Sequence, residues 1–444
     1  MFARQISTPD LGNHSYLFVS GDEAAVVDPQ RDIERFDEAL AETGARLVAV
    51  VETHIHNDYV TGGRILADRH GATYYLPADS EATFEHEPLS EGDHVAVGGW
   101  RLDAIATPGH TPNHTSYSVL SPAGEAVAVF SGGSMLVGAV GRCDLLGPEL
   151  AEGLARQQYR SVRRLAAEWP AATSVQPTHG AGSFCSVTPV GDETTSTIER
   201  ERLHNPALTA PDEATFVREQ LDGATLFPAY YAQMASLNCA GPGPIPDGPI
   251  PRLSPAAVAA LDDETWLIDV REPQLFGERH IEGSINVPDG DSLSAYVGWV
   301  VPWGAPIVLI TADEHQLAHA RVVLGRIGID SLSGAVTDGL AAWVDEGRLL
   351  ASNRVVGFDA IEAERPEILL DVRDPVEAAA SALPGARNVH VSDVVEQADS
   401  IPDGVVWVHC GTGLRATIAA SLLQREGRAV VAVVGDLARH LAGG

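Results

Sequence analysis

Short β-branched runs that end in Gly, Pro or polar clusters recur along the chain, most clearly at 47–51, 127–130, 307–310 and 406–408. Apolar runs of this length with no alternation read as buried strands. After Cys410 the pattern changes to the apolar helical spacing of 416–423. Between Gly241 and Pro251 the sequence Gly-Pro-Gly-Pro-Ile-Pro-Asp-Gly-Pro-Ile-Pro can form neither a helix nor a central strand, so it reads as a linker. Beyond it the chain repeats itself at a period of about 100 residues. Leu267-Ile268-Asp269-Val270-Arg271-Glu272-Pro273 answers to Leu369-Leu370-Asp371-Val372-Arg373-Asp374-Pro375, and Gly283-Ser284-Ile285-Asn286-Val287 to Gly385-Ala386-Arg387-Asn388-Val389. Each copy alternates strands with helical segments, which predicts a parallel sheet covered by helices. The expected organisation is a domain over 1–240, a linker over 241–252, and two repeats over 253–352 and 353–444.

Composition narrows the chemistry. At roughly 100–200 residues per domain, 444 residues suit such a multidomain chain. The net charge of −32 argues against nucleic acid and anionic membrane as partners. No apolar run reaches membrane-span length, and Met1 to Pro9 shows no signal-peptide pattern, so a cytoplasmic location is expected. All 29 basic residues are arginine, which excludes a Schiff-base lysine, pyridoxal phosphate attachment and a phosphate-loop lysine. The four cysteines, Cys143, Cys185, Cys239 and Cys410, are far apart, so neither a disulfide framework nor a thiolate zinc site is expected.

Cys410 stands where a strand-like run gives way to Gly411, Thr412, Gly413 and Leu414, followed by Arg415 and a helix. A thiol at a helix N-terminus, ringed by backbone N–H groups, is a candidate thiolate nucleophile. The loop is one residue shorter than the phosphate cradle of a cysteine phosphatase, and its tighter ring suits a single sulfur atom. It resembles the active loop of a rhodanese, a sulfurtransferase that carries sulfane sulfur as a cysteine persulfide. The resemblance implies that Cys410 and Arg415 are catalytic, with Arg415 anchoring the loop and binding an anionic donor such as thiosulfate. The Asp-Val-Arg and Gly-x-x-Asn pieces extend the resemblance to both repeats. In the first repeat Thr311 falls opposite Cys410, and no cysteine lies between Ala240 and Cys410. That copy is expected to be a structural or docking domain, a pseudo-rhodanese. Trp299 and Trp303 can pack an interface or fill a core, and the core is the favoured expectation.

The first 240 residues carry four ordered motifs: Thr53-His54-Ile55-His56-Asn57-Asp58-Tyr59, Thr107-Pro108-Gly109-His110-Thr111, Ser131-Gly132-Gly133-Ser134 and Gln176-Pro177-Thr178-His179-Gly180. Each follows a β-rich stretch and enters a turn, which converges side chains at one sheet edge where imidazoles and a carboxylate can share a metal. With Val26-Val27-Asp28-Pro29 they resemble the metallo-β-lactamase fold, an αββα sandwich. Fusions of this fold with rhodaneses resemble iron-dependent persulfide dioxygenases, whose iron is held by two histidines and a carboxylate. Carried over by motif, His54 and His110 are the histidine ligands, with His56, Asp58 and His179 as additional ligands or neighbours. The carboxylate position is Gly133, and an aspartate there is expected to be accepted by the fold. Asp144 lies shortly downstream, and Tyr59 stands where many relatives have a second-metal histidine.

The resemblance implies mononuclear non-haem iron as cofactor, with zinc on His54, His56 and His110, or no metal, as alternatives. The implied partners are small persulfides, thiosulfate, sulfite or thiols, and a homo-oligomer is expected. The reading is a sulfur-metabolism enzyme that combines persulfide oxidation with sulfur transfer through Cys410. The alternatives are a zinc thioester hydrolase of the glyoxalase II kind, or a relay protein whose metal domain has degenerated.

Overall fold

The run at 47–51 becomes the strand Arg46–Val51, and apolar side chains leave it on both faces. Val50 packs outward with Phe36, Leu40 and Leu66 from the helices Glu34–Thr43 and Gly63–His70, while Ala49 and Val51 point into an inter-sheet core. Burial on both faces is why the run carries no alternation. The strand lies inside a six-stranded sheet whose order follows the chain: Phe2–Thr8, Asn13–Ser20, Glu23–Val27, Arg46–Val51, Thr73–Pro77 and Glu87–Leu89. A second six-stranded sheet runs Ser196–Thr197, Ser174–Pro177, Ala126–Gly132, Thr115–Leu120, Trp100–Ala106 and His94–Val97. Tyr16, Phe18, Val27 and Val51 of the first sheet meet Leu102, Tyr117, Val119 and Phe130 of the second. The helix Pro148–Glu168 covers the second sheet's outer face through Leu154, Val162 and Leu165. The layers are therefore αββα. This computed structural model describes residues 1–187 and 191–443.

Contacts divide the chain into two units, Met1–Pro246 with Gly325–Gly328, and Asp247–Leu324 with Ile329–Gly444. The second unit holds two fully parallel sheets. One has the order Ile285–Asn286, Trp266–Asp269, Ile307–Ile310, Leu332–Val336. The other has Arg354–Val356, Val430–Val433, Val406–His409, Ile368–Asp371, Arg387–Asn388.

The repeated motifs do the same structural task twice. Arg373 forms a two-pronged pair with Asp371 (2.9 and 2.6 Å), as Arg271 does with Asp269 (2.8 and 2.6 Å). Asn388 donates to the carbonyls of Asp371 and Arg373, and Asn286 to those of Asp269 and Arg271. A side-chain amide thus ties the end of one strand to the turn after its neighbour.

The tryptophans differ from expectation. Trp303 is 42% exposed. Trp299 is half-buried and sits 5.0 Å from the His390 ring and 6.0 Å from Tyr296. The helix Leu293–Val300 ends before Trp303, which lies in the turn after it. Among the described residues no helix is long and apolar enough to cross a membrane.

Candidate active sites

Three of the four motifs in the first unit deliver imidazoles to one place. His54 follows Arg46–Val51, His110 follows Trp100–Ala106, and His179 follows Ser174–Pro177. Their ring centroids are 4.9 Å apart (His54–His110), 5.1 Å (His110–His179) and 5.6 Å (His54–His179). One ligand atom from each lies within 4.8 Å of the other two, and all three residues are buried.

Hydrogen bonding sets their tautomers. The Thr53 hydroxyl donates to Asp28 (2.8 Å), so it can only accept from Nδ1–H of His54 (2.8 Å). His110 Nδ1–H donates to the Arg142 carbonyl (2.8 Å). His179 Nδ1–H donates to Oδ1 of Asn13 (3.0 Å), with Asp58 at 3.3 Å. Each ring is thereby pinned through Nδ1 and keeps its Nε2 lone pair free, the arrangement of a metal-binding histidine and its outer partner. Burial, with His56 and then His110 beside it, holds His54 well below the usual histidine range, and burial with His179 lowers His110 to about 3. Neutral imidazoles are what a metal requires.

Asp28 organises this floor. It takes a positive φ of 51° and accepts from the Thr53 N–H (2.6 Å), the Thr53 hydroxyl and the Thr178 hydroxyl. A non-glycine residue holds that backbone only where its surroundings determine it. His56 turns its Nε2 toward this side, 2.9 Å from the Tyr59 hydroxyl, 3.1 Å from Glu52 and 3.3 Å from Asp28. Burial alone would lower the His56 pKa, but Asp28 and Glu52 outweigh it and raise it to about 10.

The expected zinc set of His54, His56 and His110 is therefore corrected: among the described residues His54 and His110 group with His179, while His56 groups with Asp58 and His179 or with Asp28 and Glu52. Asp144 is taken by Arg142 (2.7 and 2.6 Å). At position 133 an aspartate is accommodated only if the His110 ring shifts. A Cβ there would lie 2.2 Å from Cδ2 of His110, whose ring occupies the space.

Three residues of this site escaped the sequence reading. Asp28 stood only as a fold marker, Glu52 precedes the histidine motif without spacing to distinguish it, and His114 follows His110 by one helical turn's worth of sequence. His114 accepts from the Gly133 N–H (2.9 Å) through Nε2 and bonds Thr107 (2.8 Å) through Nδ1, so both ring nitrogens are occupied. Buried Nε2 of His54 and Nε2 of His179, which belong to one group, have no hydrogen-bond partner; neither has Oδ1 of Asp58, which groups with His179 and His56 instead. Orphaned buried acceptors that converge are costly without a cation, so the residues present fit a divalent metal.

In the second unit Cys410 directly follows the strand Val406–His409, and Gly413 caps the helix Leu414–Arg425. The Gly413 N–H donates to the Cys410 sulfur at 3.1 Å. Gly413 has φ of 114°, and a Cβ there would sit 2.9 Å from the Val434 backbone, so only glycine closes the loop this tightly. Arg415 does not bond the loop carbonyls. It forms a two-pronged pair with Glu377 (2.8 and 3.0 Å). Loop closure falls instead to backbone bonds from Leu437 to Gly411 (2.9 Å) and from Gly435 to Thr412 (3.2 Å). The hydroxyl of Tyr296, from the first repeat, is raised to about 12, first by burial, with Arg415 opposing and Cys410 adding. The sequence offered no signal for it, because it comes from the repeat without a thiol. In that repeat the matching loop is closed by its own side chains: Thr311 donates to the Asp313 carbonyl (2.9 Å), and Gln316 accepts from the Ala312 N–H (2.8 Å). Burial pushes the Cys143, Cys185 and Cys239 thiols up.

Comparison with known proteins agrees with both halves. The metallo-beta-lactamase superfamily matches residues 8–179, and the rhodanese-like domain matches 254–346 and again 359–444. The chain is a metallo-β-lactamase domain fused to two rhodanese-like domains. It is 28% identical over 240 residues to persulfide dioxygenase ETHE1, mitochondrial, of Bos taurus, covering 53% of this chain and 87% of that one. It is 36% identical over 172 residues to hydroxyacylglutathione hydrolase of Gloeobacter violaceus, covering 37% of this chain and 63% of that one. Among solved structures, a metallo-beta-lactamase from Staphylococcus aureus subsp. aureus COL superposes with a TM-score of 0.69 at 28% identity, covering 76% of this chain and 98% of that one. The two rhodanese-like domains thus share one fold, and only the second carries a cysteine at the loop.

Proposed function

We propose a sulfur-metabolism enzyme with two centres: persulfide oxidation at a non-haem metal in the metallo-β-lactamase domain, and sulfane-sulfur transfer through Cys410 in the second rhodanese-like domain. The observation that carries the second half is the Gly413 N–H held 3.1 Å from the Cys410 sulfur at a helix N-terminus. Such donors stabilise a thiolate and the terminal sulfur of a persulfide alike. The Cys410 thiolate attacks the outer sulfur of thiosulfate; the S–S bond breaks, sulfite leaves with its electron pair, and Cys410 holds the sulfur as a persulfide. A second nucleophile, such as cyanide or a thiol, takes that outer sulfur and returns the thiolate.

In the first centre His54 and His110 would hold iron, and similarity to a persulfide dioxygenase supports that metal. Iron would supply open positions for dioxygen and an anionic sulfur ligand. The chain's own contribution is to keep the imidazoles neutral, fix their tautomers through Thr53 and Arg142, and bury the site. A two-metal thioester hydrolase is disfavoured: Gly133 offers no bridging carboxylate, and Tyr59 bonds His56 instead of facing a second metal.

Purified protein reconstituted with ferrous iron is expected to bind close to one iron per chain, and to consume oxygen and form sulfite with glutathione persulfide. Two zinc ions per chain with thioesterase turnover would sink this reading in favour of the hydrolase. Arg415→Lys is expected to lower kcat/KM for thiosulfate about 10- to 100-fold, because one ammonium cannot reproduce the forked pair with Glu377. Steady-state kinetics with thiosulfate check this, and unchanged kinetics would remove Arg415 from the site.

A further inference from the structure

We infer that the metal of the first domain is held by three neutral imidazoles, His54, His110 and His179, and that Gly133 is glycine because the His110 ring takes the volume where a carboxylate ligand would otherwise stand. The inference rests on the metal-dependent reading above and deepens it. The three rings converge with centroids 4.9–5.6 Å apart, and each donates its Nδ1–H to a different fixed acceptor: Thr53, Arg142 and Asn13. That leaves three Nε2 lone pairs, and those of His54 and His179 are buried with no partner in the protein.

The fourth ring in the cluster, His114, cannot compete, since Gly133 and Thr107 use both its nitrogens. His56 has its Nε2 committed to Tyr59, Glu52 and Asp28; its Nδ1 is buried without a partner, but among the described residues its ligand atoms group with Asp58 and His179 or with Asp28 and Glu52, not with His54 and His110. The His110 ring is fixed in a slot between two glycines: a Cβ on Gly133 would lie 2.2 Å from Cδ2, and one on Gly141 2.7 Å from Nδ1. Both contacts are shorter than real Cβ atoms show, so a side chain at Gly133 must shift the His110 ring, while one at Gly141 first meets the Gly133 carbonyl at 2.3 Å. Three neutral ligands leave a divalent ion its full charge. The site therefore favours an anionic sulfur ligand, a persulfide or thiolate, over a neutral thioester.

The test uses the full-length chain reconstituted anaerobically with ferrous iron and read by X-ray absorption at the iron edge, with metal content by mass spectrometry. Scattering from three imidazoles is expected in the wild type. His179→Ala is expected to weaken iron binding by more than about 100-fold, beyond the range of an outer partner. Gly133→Asp is expected to lose iron, where a site awaiting a carboxylate would gain it. Two imidazoles with an oxygen ligand in the wild-type spectrum, or full iron retention by a folded His179→Ala protein, would overturn the three-histidine set and leave the metal-dependent reading standing. Wild-type protein that takes up no iron would overturn both. The wild-type spectrum needs no variant, so misfolding of a mutant does not hide the answer.

Discussion

Cys410→Ser is expected to reduce thiosulfate:cyanide sulfurtransferase activity to background, a loss of at least about 1,000-fold. Sulfur transfer requires a sulfur nucleophile that can hold a second sulfur atom, and a serine hydroxyl cannot form the persulfide. The loop should survive the change, because the backbone bonds from Leu437 to Gly411 and from Gly435 to Thr412 do not involve the thiol. No other cysteine can substitute. Cys143 and Cys185 are buried and their thiols are pushed up by that burial, and Cys239 is raised for the same reason. Cys239→Ser, far from both centres in sequence, should therefore match wild type. Thiocyanate formation measures both variants, and persistent activity in Cys410→Ser would refute the assignment of the second rhodanese-like domain as the transferring one.

The second large effect is on stability. Arg373→Met should destabilise the second unit by about 3–5 kcal/mol, since it leaves the Asp371 carboxylate, 2% exposed, without its cation. Arg373 also bonds the Ser381 hydroxyl and carbonyl at 2.9 Å, so the loss spreads to the following helix. For a unit of this size that corresponds to roughly 6–20 °C in Tm. The double variant Asp371→Leu with Arg373→Met should recover most of the loss, because the cost lies in the stranded charge more than in the missing pair. Thermal unfolding followed by circular dichroism decides it. A single variant within about 1 kcal/mol of wild type would show that the pair is dispensable.

Much of this molecule was legible from local chemistry. The Pro/Gly run, the repeat of Asp-Val-Arg with Gly-x-x-Asn, and the strand–loop–helix around Cys410 are all short-range patterns. Their physical causes, backbone restriction, paired side chains and helix-end donors, act over a few residues. The absent thiol in the first repeat was equally plain, because an absent side chain needs no geometry to establish.

What the sequence by itself determined was which groups exist and in what order they leave their strands: His54, His110 and His179 each at a strand end, and glycine at position 133. Only the tertiary structure decided which of them meet. Whether a histidine faces a metal or a carboxylate depends on the acceptor that holds its other nitrogen. Those acceptors, Asn13 for His179, the Arg142 carbonyl for His110 and Asp28 acting through Thr53 for His54, come from segments remote in sequence or reached through a neighbour. The same holds for Arg415, whose partner Glu377 is 38 residues away in the chain, and for Trp303, which stays 42% exposed. Covalent order is one-dimensional information. Tautomers, orphaned lone pairs and the space beside Gly133 are properties of neighbours in three dimensions, and no spacing along the chain specifies them.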